Sequence, residues 1–489
     1  MSLLPAVPII GFAPDKPATT PGVLVDCANV VPTSFGVGPA PGAQLPGNVP
    51  ALAAPCRGAA LVQRIDGTRR IFAGTATRLY ELLSGAWTDI SRAGIYSGGA
   101  DSRWMFAQFG NVTVAANDTE VLQASTGTGS FADIATAPRA RVVFAVGDFV
   151  MALNTNDGTY GDQGDRWWCS GIFDHSTWTP SLSTQANTGR LVSGGGEIVA
   201  GAALGRQAVA YKERAMFLGT YVGGAATWQW DPIPGEQGAV GPEAVADANG
   251  VHFFVGQDNF WIYDGVRAQP IGDTDVRQWF FANSSPSFRY RTIVQYERQN
   301  NRVWVFFPSA GGAGTCDRAL VFHMVKRAWG RCDLAVQAVF QFVAPGVTIN
   351  NLSTLSATIN SLPQVSFNSQ FWLAGGRSLA IVDGSNQPRT LDGAPSASSM
   401  RTWLTGDYQR ASTLSEVRPG WLRQPTSATC EGVAYDNVGG TARTSSTAGV
   451  YDGAFHVRQS ARWHQFNLSF SGDYEMDSMS LDVTAGGRR

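Results

Sequence analysis

Apolar residues along this chain fall in short runs rather than at helical spacing. Val303–Phe307 and His252–Val255 are typical: a few β-branched or aromatic side chains, closed off by Gly, Asp, Asn or Pro. Such runs read as strands and such closers as turns, and the 56 glycines and 25 prolines supply the punctuation. Helical periodicity is almost absent. The pattern predicts an all-β chain.

From about residue 58 a unit recurs loosely, at a spacing of roughly 45 to 65 residues. One copy joins Gly67–Gly74, Arg78–Leu82 and Trp87–Ile90. Another joins Val142–Val146, Gly147–Leu153 and Arg166–Ser170. A third joins Ile198–Ala202, Gln207–Tyr211, Ala215–Gly219 and Trp228–Trp230. The clearest is Gly250–Gly256, Asn259–Gly265 and Val266–Ile271. A fifth runs Thr292–Tyr296, Arg302–Phe307, Arg318–His323 and Arg327–Gly330, and a sixth Gln370–Ala374 and Ser378–Gly384. Three or four strands per copy make one antiparallel blade, which buries a face only by stacking on its neighbours. Radial closure into a β-propeller of five to seven blades, six favoured, follows over residues 51–385. A stack of β-sandwiches without closure is the alternative. Trp87, Trp230, Trp261, Trp304, Trp329 and Trp372 are expected between blades.

Residues 1–50 carry nine prolines from Pro5 to Pro46 and a tenth at Pro50, and read as an extended arm lying across another surface. After Gly384 the pattern changes. A polar stretch from Ser385 to Met400 precedes further strands, so residues 386–489 are expected to form a small β-sandwich or barrel.

Charged residues make up only 15% of the chain, against roughly 25% in a typical soluble domain, which favours a surface covered by partners. Net charge is −2, without basic runs, so the footprint of a tight nucleic-acid binder is missing. Only Lys16, Lys212 and Lys326 are lysines; arginine, the better interface cation, supplies every other basic charge. A GC-rich coding genome would produce the same bias. Cys27, Cys56, Cys169, Cys316, Cys332 and Cys430 are scattered and read as reduced thiols. Neither a signal peptide nor a transmembrane run is expected.

Little points to chemistry. The acidic, glycine-rich Asn154–Asp165 loop lacks the terminal glutamate of a calcium loop and reads as a turn. His175, His252, His323, His456 and His464 show no ligand spacing. Ser170 and Ser193 lack a nucleophile elbow, and Gly194–Gly196 opens no helix that would cradle phosphate. Asp174 beside Phe173 and Trp178, and Asp231 beside Trp228 and Trp230, have the composition of a glycan cleft, with core packing as the plainer account. No catalytic, cofactor-binding or metal residue is expected, and no cofactor.

Several segments resemble the tail nozzle, or tail hub, of short-tailed bacteriophages, the packaged-DNA stabilisation family. They are Pro8–Asp15, Thr20–Asn29, Gly250–Phe281, Val303–Pro308, Ala319–His323 with Trp329, Thr405–Tyr408, Glu416–Pro419 and Val457–Phe466. The resemblance implies a non-enzymatic virion protein of the tail, made in the host cytoplasm. Six copies would ring the channel below the portal adaptor and carry tailspikes or fibres. Packaged double-stranded DNA would be retained and later passed without tight binding. A receptor-binding or lectin-like propeller is the second reading, with repeated aromatic–polar pockets between blades. A glycoside hydrolase on a propeller scaffold, using Asp174 or Asp231, is the third.

Overall fold

The computed structural model describes residues 2–3, 5–46, 49–343, 358 and 377–488, with side chains from residue 5 to residue 486 apart from 445 and 446. The alternation of apolar runs and turns becomes a series of antiparallel, four-stranded units. The first comprises Ala59–Gln63, Arg69–Gly74, Leu79–Leu83 and Ala86–Asp89; the second Met105–Phe109, Val112–Asn117, Glu120–Thr126 and Ala132–Asp133. The third holds Arg139–Val146, Phe149–Asp157, Gly161–Cys169 and Asn187–Arg190; the fourth Ile198–Leu204, Gln207–Lys212, Met216–Gly223 and Thr227–Ile233. The fifth is Val245–Asp247, His252–Val255, Phe260–Tyr263 and Ala268–Pro270; the sixth Ile293–Glu297, Arg302–Pro308, Cys316–His323 and Ala328–Val336. The last is Ala338–Val343, Arg377–Val382 and Pro388–Gly393, completed by Gly42–Gln44 from the start of the chain. Four of these units stand as separate four-stranded sheets, while the second and third are joined through Val121 and Arg139.

The first strand of each unit packs on the first strand of the next, and the strand Ala338–Val343 packs on Ala59–Gln63, so the succession returns to its start. The architecture is all-β with a β-propeller core. Its side chains show why. In Arg302–Pro308, Val303, Val305 and Phe307 enter one apolar layer while Trp304 and Phe306 enter another. Val142, Met151 and Leu153 likewise face the fourth unit, and Val143, Val150 and Ala152 the second. A sheet buried on both faces reads as a continuous apolar run rather than an alternation. Trp87, Trp230, Trp261, Trp304 and Trp329 all lie in such layers. Trp372 and the segment Gln370–Ala374 lie outside the described residues.

The proline-rich start of the chain is laid down as short strands, each paired far away in sequence. Val7–Pro8 pairs with Ser478 and Met479, Asp26–Ala28 with Ser399–Arg401, and Val30 with Arg331 of the sixth unit. Gly42 comes so close to the last unit that an added Cβ would lie 2.0 Å from the Ala394 carbonyl oxygen, so only glycine fits there. Because Gly42–Gln44 completes the last unit and Pro388–Gly393 belongs to it, that unit runs past residue 385, where the composition changes.

Beyond it, Arg410–Arg423 and Glu475–Arg488 form a long antiparallel pair with several register shifts. Trp463–Ser471 pairs with both Ser427–Tyr435 and Ser398–Arg401. Among the described residues no helix is long and apolar enough to cross a membrane.

Candidate functional site at the propeller axis

The two carboxylates of the glycan-cleft expectation are placed apart in role. Asp174 lies in a turn between the third and fourth strands of the third unit and accepts hydrogen bonds from the Ser176 amide (2.8 Å) and hydroxyl (2.6 Å). Burial pushes its carboxyl up, but the bonds from Ser176 and Thr177 outweigh that and hold it below the usual range. Asp231 is exposed on the outer strand of the fourth unit, with Gln229 donating to both its oxygens. No contact joins the two. The Asn154–Asp165 loop is the hairpin turn of the third unit, where Asp157 accepts the Thr159 and Tyr160 amides and the Trp168 indole N–H.

Ser170 is buried, taking the Val150 amide and donating to the Gly171 carbonyl, and the Ser193 carbonyl accepts from Lys212 Nζ. Gly194, Gly195 and Gly196 all adopt positive φ in a wide turn. His252 is fully buried between Tyr211 Oη on Nδ1 and the Ala203 carbonyl on Nε2. His464 is held by Gln459 and Ser412, and His323 Nδ1 accepts the Lys326 amide. His456 is half exposed, 3.8 Å from Glu416. Burial lowers the His175 ring below its usual range. No group of three or more His, Cys, Asp or Glu side chains is arranged for a metal among the described residues.

A different cluster forms where the chain enters the inner strands. Residues at the start of those strands bond between neighbouring units: Trp104 N to the Arg57 carbonyl, Val294 N to that of Glu243, Cys56 N to Gln337 Oε1. Arg103, ahead of the second unit, donates from Nε to Glu243 of the fifth at 2.6 Å and from Nη2 to the Gln337 carbonyl at 2.9 Å. Asp101 Oδ1 accepts from Tyr290 Oη at 2.8 Å and from Arg291 Nη2 at 2.5 Å. Arg141, partly buried on the third inner strand, lies within electrostatic reach of Asp101 and has no ion-pair partner among the described residues. Gly241 allows this convergence, since a Cβ there would lie 1.8 Å from the Tyr290 carbonyl oxygen.

The electrostatics are one-sided. Arg291 and Tyr290 hold the Asp101 carboxyl below its usual range, so it is ionised at neutral pH. Desolvation acts against the Arg103 charge, but Glu243 overcomes it and raises its pKa. Arg103 is thus deep in protein, yet 21% of its side chain stays open to solvent, and Asp101 is 51% open. Two guanidinium–carboxylate pairs, Arg103–Glu243 and Arg291–Asp101, thus lie ahead of the inner strands, with Arg141 acting on Asp101 and without an ion-pair partner among the described residues.

None of these residues stood out in the sequence. A signal was present: Arg57, Arg103, Glu197, Glu243 and Arg291 each sit one or two residues ahead of an inner strand. In a chain poor in charge, a charged residue at the same phase of successive units marks one end of the ring.

In the solved structures the fold has counterparts among β-propeller proteins. One is PorZ, a surface component of the type-IX secretion system of Porphyromonas gingivalis, at 12% identity and a TM-score of 0.36 over 59% of this chain. This chain spans about a third (34%) of PorZ. Trypanosoma rangeli sialidase, solved with sialic acid, aligns at 11% identity and a TM-score of 0.29 over 92% of this chain and 96% of its own. Exo-β-1,3-galactanase of Phanerochaete chrysosporium, solved with β-1,3-galactotriose, aligns at 9% identity and a TM-score of 0.28 over 91% of this chain and 100% of its own. No family model matches the sequence, and no curated protein matches it.

These comparisons correct the expectation of a phage tail nozzle without enzymatic function. Of the three named, the two that align along nearly the whole length are a sialidase and a galactanase, and PorZ is a bacterial surface component; none is a virion part. At such identities and TM-scores no activity, substrate or partner passes from them to this chain.

Proposed function

We propose that this chain is a recognition propeller whose axial mouth binds a carboxylate-bearing ligand of the acidic-sugar class. The observation that carries the reading is Arg141, which acts electrostatically on Asp101 beside the Arg291–Asp101 pair and is left without an ion-pair partner among the described residues. A guanidinium fork matches a carboxylate in two parallel hydrogen bonds. Tyr290 and the backbone carbonyls beside Arg103 offer the polar contacts a sugar ring needs. We further infer that the ring counts seven blades, with Gly42–Gln44 as its closing strand and residues beyond Gly393 as a separate β-unit.

Sialic acid is the natural probe, with glucuronic acid as a second carboxylate sugar and galactose as the neutral control. Saturation-transfer NMR and calorimetry should detect both acids and not galactose. Arg141→Ala should weaken binding about tenfold or more, the scale of one charge-assisted hydrogen bond. Release of fluorophore from sialoside and galactoside reporters belongs in the same experiment. Cleavage needs one carboxyl to supply a proton, which Asp101 is badly placed to do. Equal binding of acid and neutral sugars, or binding unchanged in Arg141→Ala, would overturn the reading.

A further inference from the structure

We propose that a second site, where the start of the chain crosses the sixth and last units, binds a small monocarboxylate with an apolar body. The site is a cavity of about 380 Å³ lined by Arg302 of the sixth unit, Leu379 and Leu391 of the last, and Pro39 and Pro41 from the start of the chain. That volume falls within the roughly 300–1,000 Å³ of small-molecule sites.

Arg302 gives the cavity its chemistry. It is 9% exposed and is fixed through Nε, which donates to the Pro32 carbonyl at 2.8 Å. Its two Nη groups have no partner among the described residues, yet neither is enclosed: they open on the cavity that Arg302 lines. Glu297 is its direct cross-strand neighbour, but each Glu297 oxygen already accepts a hydrogen bond. Oε2 takes the Trp304 indole N–H at 2.7 Å and Oε1 takes the Asn300 amide. Burial works against the guanidinium charge, and Glu297 offsets it only in part. A planar set of N–H donors is thus held in place without an acceptor.

The rest of the wall chooses among anions. Asp392 accepts from Gln44 and Ser378, and Asp473 pairs with Arg423. With Glu297, three carboxylates border the cavity against the two guanidinium groups of Arg302 and Arg423, which disfavours a dianion such as phosphate. A single carboxylate matches the guanidinium fork in two parallel hydrogen bonds and brings the least charge. Away from Arg302 the wall turns apolar: Leu379 and Leu391 are 3% and 6% exposed, and Pro39 and Pro41 lie on the same cavity. Such a wall takes an apolar group, because covering it removes apolar surface from water.

The test uses the full-length protein and benzoate as the probe, with benzamide as the neutral control of the same shape and inorganic phosphate as the dianion. The methyl resonances of Leu379 and Leu391, assigned through Leu379→Ile and Leu391→Ile, should move on titration with benzoate and with neither control. Arg302→Gln removes the charge and should weaken benzoate about tenfold or more, the scale of one charge-assisted hydrogen bond. Arg302 also holds the Pro32 carbonyl, so the exposed Gln299, on the same cavity, gives a second reading if that variant folds poorly. At low salt, benzoate affinity should fall several-fold in Gln299→Glu and rise in Gln299→Lys. Methyl resonances unmoved by millimolar benzoate, an equal response to benzamide or phosphate, or an affinity indifferent to both charge changes would each overturn the proposal. Because the shifts are read at Leu379 and Leu391, benzoate bound at the axial mouth does not enter the result.

Discussion

The propeller units and the seam at the chain ends are built from the same kind of strand, but they find their partners differently. In the sixth unit Val303 pairs with Phe322, and apart from the single Val30–Arg331 pairing the ladders from Ile293 to Val336 join strands adjacent in sequence. At the seam Val7 pairs with Met479, Met400 with Cys27, and Thr390 with Gln44. The ring is a succession of local hairpins, paired to distant chain only at its closing strand and at Val30–Arg331. The seam is held mainly by long-range pairings. Local pairings carry little loop-closure entropy, whereas distant ones form only when the rest of the fold has brought them together. The seam strands should therefore depend on the ring, and the ring on the seam chiefly at its closing strand.

Removing residues 2–46 breaks this arrangement most completely. It strips the closing strand Gly42–Gln44 from the last unit and Asp26–Ala28 from Ser398–Arg401 in one step. Urea unfolding followed by tryptophan fluorescence should lose its single cooperative transition, with Arg377–Gly393 gaining protease sensitivity. An unchanged transition would show that the ring closes without the start of the chain.

A change inside the ring comes next. Trp304 is 1% exposed between the sixth and last units, stacked on Phe306 at 5.8 Å. Trp304→Ala should cost about 3–5 kcal/mol, the range for deleting a buried aromatic side chain. The urea midpoint should fall without a change in slope.

The difference between the regions also explains what the sequence made legible. The fifth and sixth units could be read directly, because Phe253, Phe254 and Val303–Phe307 are large and bounded by Gly or Asn turns. The second unit was missed: Val112–Asn117 is rich in small residues, and its fourth strand is only Ala132–Asp133. The prolines at the start suggested an arm, yet they sit where a short strand needs few amide donors, and nothing local names a partner some 450 residues away. Asp174 and Asp231 drew attention through aromatic neighbours, of which Trp178, Trp228 and Trp230 pack in the core while Phe173 is exposed. The axial arginines escaped notice because they are brought together only by closure of the ring.

His464 tests the seam through pH. It is 1% exposed, accepts from Gln459 at Nδ1 and donates from Nε2 to Ser412, so it is neutral, and burial lowers its pKa from 6.5 to about 4. The unfolded chain then binds more protons than the native one between those values. Stability is full above pH 6.5, falls as pH drops toward about 4, and changes no further below it through this group. The span corresponds to at most about 3 kcal/mol. His464→Gln should flatten that slope, and an unaltered slope would place the sensitivity elsewhere.

The smallest effect is expected where the start of the chain meets the sixth unit. Arg331 bonds Asp26 at 2.9 Å and Asp333 at 3.1 Å, but Asp26 is 61% exposed and Asp333 44%. Water and salt screen such pairs, so Asp26→Asn should cost less than about 1 kcal/mol, and less again at high ionic strength. Its neighbour Cys27 is buried at 2% in the apolar layer, and the backbone pairing with Arg401 survives the substitution. If the seam is held by backbone ladders and apolar burial, as its strands indicate, this variant should unfold almost as the parent does. A large loss would instead make the Arg331 pair the clasp that fixes the start of the chain to the ring, and the dependence of one region on the other would be electrostatic.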